Sequence, residues 1–228
     1  MYKINYLFLI LFLVFYSCDI VEKETSDRIK TNINREWQFT FSSEKDDFST
    51  ETSENANWER VGLPHSFSIP YFRSESFYEG YGWYQKKLNI DETNLGKNIF
   101  LEFDGVFQVA EVFLNGEKVG EHKGGYTGFV VDISNHAKAG ENLLAVRVNN
   151  LWDAQLAPRA GEHVFSGGIY RDVYLNVTDK LHVAWNGTFV TTPEVSKENS
   201  SVNIKTEIKN NYDSDQEFTL KSVLIDHN

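Results

Sequence analysis

The stretch Val112-Phe113-Leu114-Asn115-Gly116-Glu117-Lys118-Val119 decides the fold class. A two-residue connection between paired strands takes a type I′ turn, which needs two residues that tolerate positive φ, and Asn-Gly is the pair that does so at least cost. The segment therefore reads as a tight antiparallel hairpin. Working outward, the same kind of run recurs on both sides: 82–90 and 98–103 upstream, 129–133, 143–148 and 169–177 downstream. Near the start, Trp37, Phe39 and Phe41 alternate with Gln38 and Thr40, the period-two pattern of a strand with one buried face. No run carries a helical stripe, so an all-β domain is predicted. Gly124-Gly125, Gly140 and Gly167-Gly168 punctuate the runs as turns or bulges. The last pair leads into a strand and not into a helix with Lys, which excludes a nucleotide-binding fingerprint.

Composition narrows the class further. The chain has 228 residues with 22 Lys and Arg against 33 Asp and Glu, a net charge of −11. That balance argues against nucleic acid as a partner, since such surfaces need clustered cations to displace phosphate counterions. A hydrophobic share of 41%, with 17 Phe, 11 Tyr and 5 Trp, supplies a packed core and excludes disorder over most of the length. After residue 179 three more strand-like runs follow at 182–190, 202–209 and 217–225. An immunoglobulin-type sandwich needs roughly 100 residues, so this part is expected to be a second β domain that stops partway.

The first residues read as an address label. Lys3, the apolar run 7–15 and Ser17-Cys18 form a secretory signal. The run is about half of the ~20 residues that a membrane-spanning helix requires. Cys18 is the only cysteine, which removes intrachain disulfides and Cys-based zinc clusters. Residues 19–32 are polar and aperiodic and are expected to form a flexible tether, with folding beginning near Ile33.

Several segments, in this order, resemble the N-terminal sugar-binding domain of glycoside hydrolase family 2, which includes bacterial β-galactosidases, β-glucuronidases and β-mannosidases. They are Trp58-Glu59-Arg60-Val61-Gly62-Leu63-Pro64-His65, Gly82-Trp83-Tyr84-Gln85-Lys86, Leu101-Glu102-Phe103-Asp104-Gly105-Val106 and Ala110 through Gly116. His122 through Phe129 follows, then Pro158-Arg159 with Ser166-Gly167-Gly168-Ile169-Tyr170-Arg171-Asp172-Val173. The resemblance covers residues 33–178. It implies a galactose-binding-like jelly-roll β-sandwich, followed by an immunoglobulin-like β-sandwich that is incomplete here. A (β/α)8 barrel carrying two catalytic glutamates would then lie beyond this sequence. Retaining hydrolysis needs two carboxylates roughly 5 Å apart, and no acid here matches the family's catalytic motifs. No catalytic residue is therefore assigned, and the piece is expected to be inert alone. The N-terminus similarly resembles a lipoprotein signal, with lipidation at Cys18, a membrane lipid anchor and export to a bacterial cell envelope implied.

The substrate-contact candidates cluster in one loop. Glu162 precedes the Gly167-to-Arg171 strand at the place where the family commonly carries an Asp that reaches the active site, and a carboxylate there can accept two sugar hydroxyls. The competing reading is a solvated acid or a partner of Arg159 or Arg171. His163 and Arg159 complete the candidate set for a β-glycoside. Arg171, Asp172 and His65 are read as structural, an Arg fork clamping carbonyls or an acid and the His packing beside Pro64. Tyr71, Phe72, Phe77, Tyr78, Tyr81 and Trp83 offer either a glycan-stacking platform or core packing, with packing favoured. No metal-ligand spacing is present, so no metal or cofactor is expected. Sequons at Asn176, Asn186 and Asn199 are read as chance in an exported bacterial protein. The rival to a family 2 glycosidase fragment is a free-standing carbohydrate-binding lipoprotein.

Overall fold

The computed structural model describes residues 28–42, 57–68, 78–156 and 166–225. Strands β1 (Ile29–Asn32), β10 (Val173–Thr178), β5 (Asn98–Phe103) and β8 (Phe129–Asp132) form a four-stranded antiparallel sheet in that order. A six-stranded sheet runs β3 (Glu59–Val61), β2 (Trp37–Ser42), β4 (Tyr81–Ile90), β9 (Gly140–Asn149), β6 (Val109–Leu114), β7 (Glu117–Lys123). Alternate residues of both sheets meet in one core: Ile99, Leu101 and Phe103 from one side, Tyr84, Val112, Leu144 and Val146 from the other. This is a two-layer jelly-roll sandwich with period-two burial, as in β6, where Ala110, Val112 and Leu114 point inward. Trp37 closes the core near its edge, fully buried, with its indole N–H donating to the Ile33 carbonyl at 2.7 Å.

The Asn-Gly hairpin forms as predicted. Asn115 and Gly116 take φ of 53° and 88°, and Leu114 pairs with Glu117 across the turn. On the outer face of the same hairpin, Glu111 and Glu121 stand opposite each other. Like charges facing across strands repel, and Lys118 resolves the conflict by binding both carboxylates at 2.7 Å. Arg147 of β9 adds a 2.7 Å bond from Nε to Glu111.

Two differences from the sequence reading have physical causes. The segment 19–32 was expected to be tether throughout, yet Ile29–Asn32 pairs with β10. All four of its residues are exposed, so side-chain periodicity is silent there. The strand is held by backbone bonds, by Lys30 against Glu102 at 3.0 Å and by Lys30 over the Tyr174 ring. The second difference lies after the sandwich. Strands β11 (Leu181–Val195) and β12 (Ser200–Asn210) form their own two-stranded ribbon, but the alternating run 217–225 forms no strand among the described residues. A strand exists only through a partner's hydrogen bonds, and no described strand pairs with this run.

The ribbon is fastened to the outer face of the four-stranded sheet. Asn98 donates to the Asp179 carbonyl at 2.8 Å and accepts from Asn211 at 3.0 Å. Trp185 donates its indole N–H to Glu102 at 3.1 Å, and His182 packs on Phe100.

Candidate functional site

Residues 166–172 enter the last sandwich strand along a path that only glycine permits. The Gly167 carbonyl accepts from the Phe67 N–H at 2.7 Å, and the Ile169 carbonyl from the His65 N–H at 2.8 Å. On its other side Gly168 exchanges both backbone bonds with Phe107, at 3.0 and 3.1 Å. A Cβ on Gly168 would sit 2.6 Å from the His65 carbonyl and 2.7 Å from the Tyr84 hydroxyl, and its φ is +130°. The glycine pair is thus a crossing point where three backbone segments touch.

Around this crossing, two buried amides tie the neighbouring loops together. Asn150 accepts from the Gly80 N–H at 2.9 Å and donates to the Tyr78 carbonyl at 2.7 Å. Gln108 donates its side chain to the Leu151 carbonyl, while its backbone carbonyl accepts from Gly124 at 2.8 Å. Tyr170 reaches back to the Gly125 carbonyl at 2.6 Å, and the hydroxyls of Ser66 and Ser166 meet. The loops 78–80, 104–108, 124–128, 150–156 and 166–172 therefore form one braced rim. Two of them, 150–156 and 166–172, adjoin residues 157–165 in the chain.

Arg159, Glu162 and His163 lie in that stretch, outside the described residues, as do Cys18, Tyr71, Phe72 and Phe77. Their flanks are fixed by the contacts above. The rim itself presents two aromatic rings to solvent, Trp152 at 66% and Tyr126 at 60% exposure. Tyr126 is held edge-on to Phe107, 5.7 Å between centroids. Exposed rings on a rigid backbone are suited to stacking on the apolar face of a sugar ring. Trp152, Asn150 and Gln108 were not singled out from sequence. The mark that was available is an aromatic directly after the Asn149-Asn150 end of an apolar strand.

The other candidates resolve as structure. Asp172 accepts from Asn34 at 2.7 Å and from the Tyr174 hydroxyl at 2.9 Å, locking the start of β10. His65 meets the Tyr84 hydroxyl at 2.8 Å and packs against Phe39. Burial pulls its imidazole below the ordinary histidine range, with Glu59 opposing, so it is a neutral packing residue. Burial likewise drives the Tyr84 phenol upward. Trp83 is fully buried against Phe113, and Tyr81 lies under Arg147, so neither offers an open glycan platform. Among the described residues, no three His, Cys, Asp or Glu side chains gather in a metal-binding group.

A braced rim with open aromatic rings, carried on a jelly-roll sandwich, defines a type of scaffold only by its architecture, a two-layer β module. The comparisons give it a family. The sequence profile described as "Glycosyl hydrolases family 2, sugar binding domain" matches residues 43–179, more than half of the chain and ending one residue past β10. The chain belongs to glycosyl hydrolase family 2. It is 34% identical over 201 residues to a putative β-glucuronidase of Formosa agariphila, covering 84% of this chain and 19% of that protein. It is 38% identical over 159 residues to a β-galactosidase of Thermoanaerobacter pseudethanolicus, covering 67% and 21%. Among solved structures, a putative β-galactosidase from Bacteroides fragilis superposes with a TM-score of 0.73 at 33% identity, over 80% of this chain and 29% of that one. The chain thus spans about a fifth of the length of these curated relatives.

Proposed function

We propose that this chain is the non-catalytic N-terminal portion of a β-galactosidase-like family 2 glycosidase acting on terminal β-glycosides. In this reading the chemistry resides in a C-terminal (β/α)8 barrel. The sandwich braces the barrel and lends loop residues to the sugar site, with Glu162, His163 and Arg159 from the loop 157–165 and Trp152 and Tyr126 from the rim. The ribbon β11–β12 belongs to an immunoglobulin-like domain between the two. Export through the N-terminal signal, with lipid attachment at Cys18, places the enzyme in the cell envelope.

One observation carries this reading. Relatives about three to five times longer, named as a putative β-glucuronidase and a β-galactosidase, align with this chain over only 19–21% of their length. Two acids of the sandwich are held in structural roles: Glu111 holds Lys118 and Arg147, and Glu102 holds Lys30 and Trp185.

The test is turnover of aryl β-galactoside and aryl β-glucuronide by the purified chain, and then by a protein extended through a family 2 barrel. No turnover by the chain and clear turnover by the extended protein are expected. In the extended protein, Glu162→Gln is expected to lower kcat/KM by about tenfold or more, the worth of one charge-assisted hydrogen bond. Hydrolysis by the chain alone overturns the reading. For the anchor, labelling with a fatty-acid analogue is expected in the expressing bacterium and lost in Cys18→Ala.

A further inference from the structure

The geometry points to a second carbohydrate site, on the groove between the four-stranded sheet and strand β11, which takes a neutral pyranose. It does not depend on the loop 157–165. A cleft of about 570 Å³ opens there, lined by Glu102, Asp104, Thr127, Arg171, Trp185 and Asn186. That volume falls within the roughly 300–1,000 Å³ range of small-ligand sites.

The aromatic wall is held in place. Trp185 is 40% exposed, and its indole N–H is fixed to Glu102, itself tied to Lys30 and Asn176. A bulge in β11 produces this arrangement: pairing shifts between Val183–Ile208 and Thr188–Thr206, and Asn186 takes a φ of 52°. The bulge aims Trp185 and Asn186 at the sandwich, a re-aiming role bulges serve elsewhere. A ring locked this way loses little freedom when a sugar stacks on it.

Part of the polar lining is unspent, although the Thr127 hydroxyl meets His122 Nε2 at 3.2 Å. Among the described residues, the side chains of Asp104, Arg171 and Asn186 make no hydrogen bond or ion pair, whereas Glu102 is fully engaged. A carboxylate acceptor, a guanidinium donor and an amide that does both match the hydroxyls of a pyranose, each of which donates and accepts. Asp104 and Arg171 cancel in charge. Glu102 is likewise balanced by Lys30, so the lining leaves no unpaired cation to offset a uronate and suits an uncharged sugar.

Saturation-transfer NMR and calorimetric titration of the full chain test this, with methyl β-galactopyranoside, methyl β-glucopyranoside and methyl β-glucuronide as probes. Saturable millimolar binding of a neutral glycoside is expected, with the glucuronide weaker. Trp185→Ala and Asp104→Asn are each expected to weaken it by about tenfold, as loss of an aromatic or charged anchor does. Asp104→Asn serves as the variant that leaves the ribbon's fastening intact. Absence of binding by every probe, tighter binding of the glucuronide, or binding that survives Asp104→Asn overturns the site. Sensitivity to Glu162→Gln alone would put the sugar at the rim, which supports the proposed function and overturns this inference.

Discussion

The sandwich and the β11–β12 ribbon are written in the same sequence language and reach opposite ends. Both carry alternating β-branched and aromatic residues. In the sandwich, Leu101, Val112 and Val146 are fully buried; in the ribbon, Phe189, Val190 and Val195 are mostly exposed. The two differ in what lies opposite. Each sandwich sheet meets a second sheet about 10 Å away, while the described contacts of the ribbon with the rest of the chain gather near its base, at Arg28, Asn98, Phe100 and Glu102. Alternation therefore specifies a strand and a face, and burial depends on a second layer that no local pattern names.

The largest test of that contrast is a pair of truncations. Trp37→Ala is expected to cost about 3–5 kcal/mol in denaturant unfolding, and Val190→Ala no more than about 0.5 kcal/mol. A comparable loss at Val190 would mean the ribbon's face is covered, and the contrast would fail. Next comes the glycine crossing. Gly168→Ala combines a disfavoured backbone with contacts below 3 Å to His65 and Tyr84 and is expected to cost about 2–4 kcal/mol. Gly116→Ala, with the same sign of φ but open space around it, should cost roughly 1 kcal/mol in the same assay.

A smaller effect sits at the His65–Tyr84 contact. Tyr84→Phe removes a buried hydroxyl partner and is expected to cost about 1–3 kcal/mol. The contact also has a pH signature. His65 titrates below 6.5 in the folded chain, so the unfolded chain binds its proton first and stability falls as pH drops through 6.5. Glu111 behaves in the same direction at lower pH. Burial raises its carboxyl pKa, but the bonds from Lys118 and Arg147 outweigh that and hold it below 4.5. Its stabilisation is present above 4.5 and lost as pH falls through the folded value. Replacing His65 by Phe should flatten the upper part of the stability–pH curve, and Glu111→Gln the lower part. The smallest expected effect is Lys118→Ala, about 0.2–1 kcal/mol, and it should shrink in high salt.

Much of the fold was legible because it rests on local rules. Asn115-Gly116 demanded a primed turn, and Trp37-Gln38-Phe39 demanded a half-buried strand. Strand β1 was illegible because Ile29–Asn32 buries nothing and is held by backbone and by Lys30. The opposite outcome came at 217–225, a strand-like run that pairs with no described strand. For the site, the family motif located the Gly167-Gly168 turn, and the structure shows why both are glycine. Asn150 and Gln108 stayed hidden because an amide's role depends on which carbonyls stand near it. Trp83 and Trp152 illustrate the same limit, one fully buried and the other 66% exposed, although both are tryptophans beside strand ends.

By itself the sequence determined that the chain is an antiparallel β protein of family 2 type, because turn stereochemistry, two-residue periodicity and ordered motifs act within a few residues of one another. Only the tertiary structure decided which aromatics face solvent, which acids are already engaged and where β11 meets the sandwich. Those outcomes depend on groups far apart in the chain, such as Glu102 and Trp185, brought within hydrogen-bonding distance by packing.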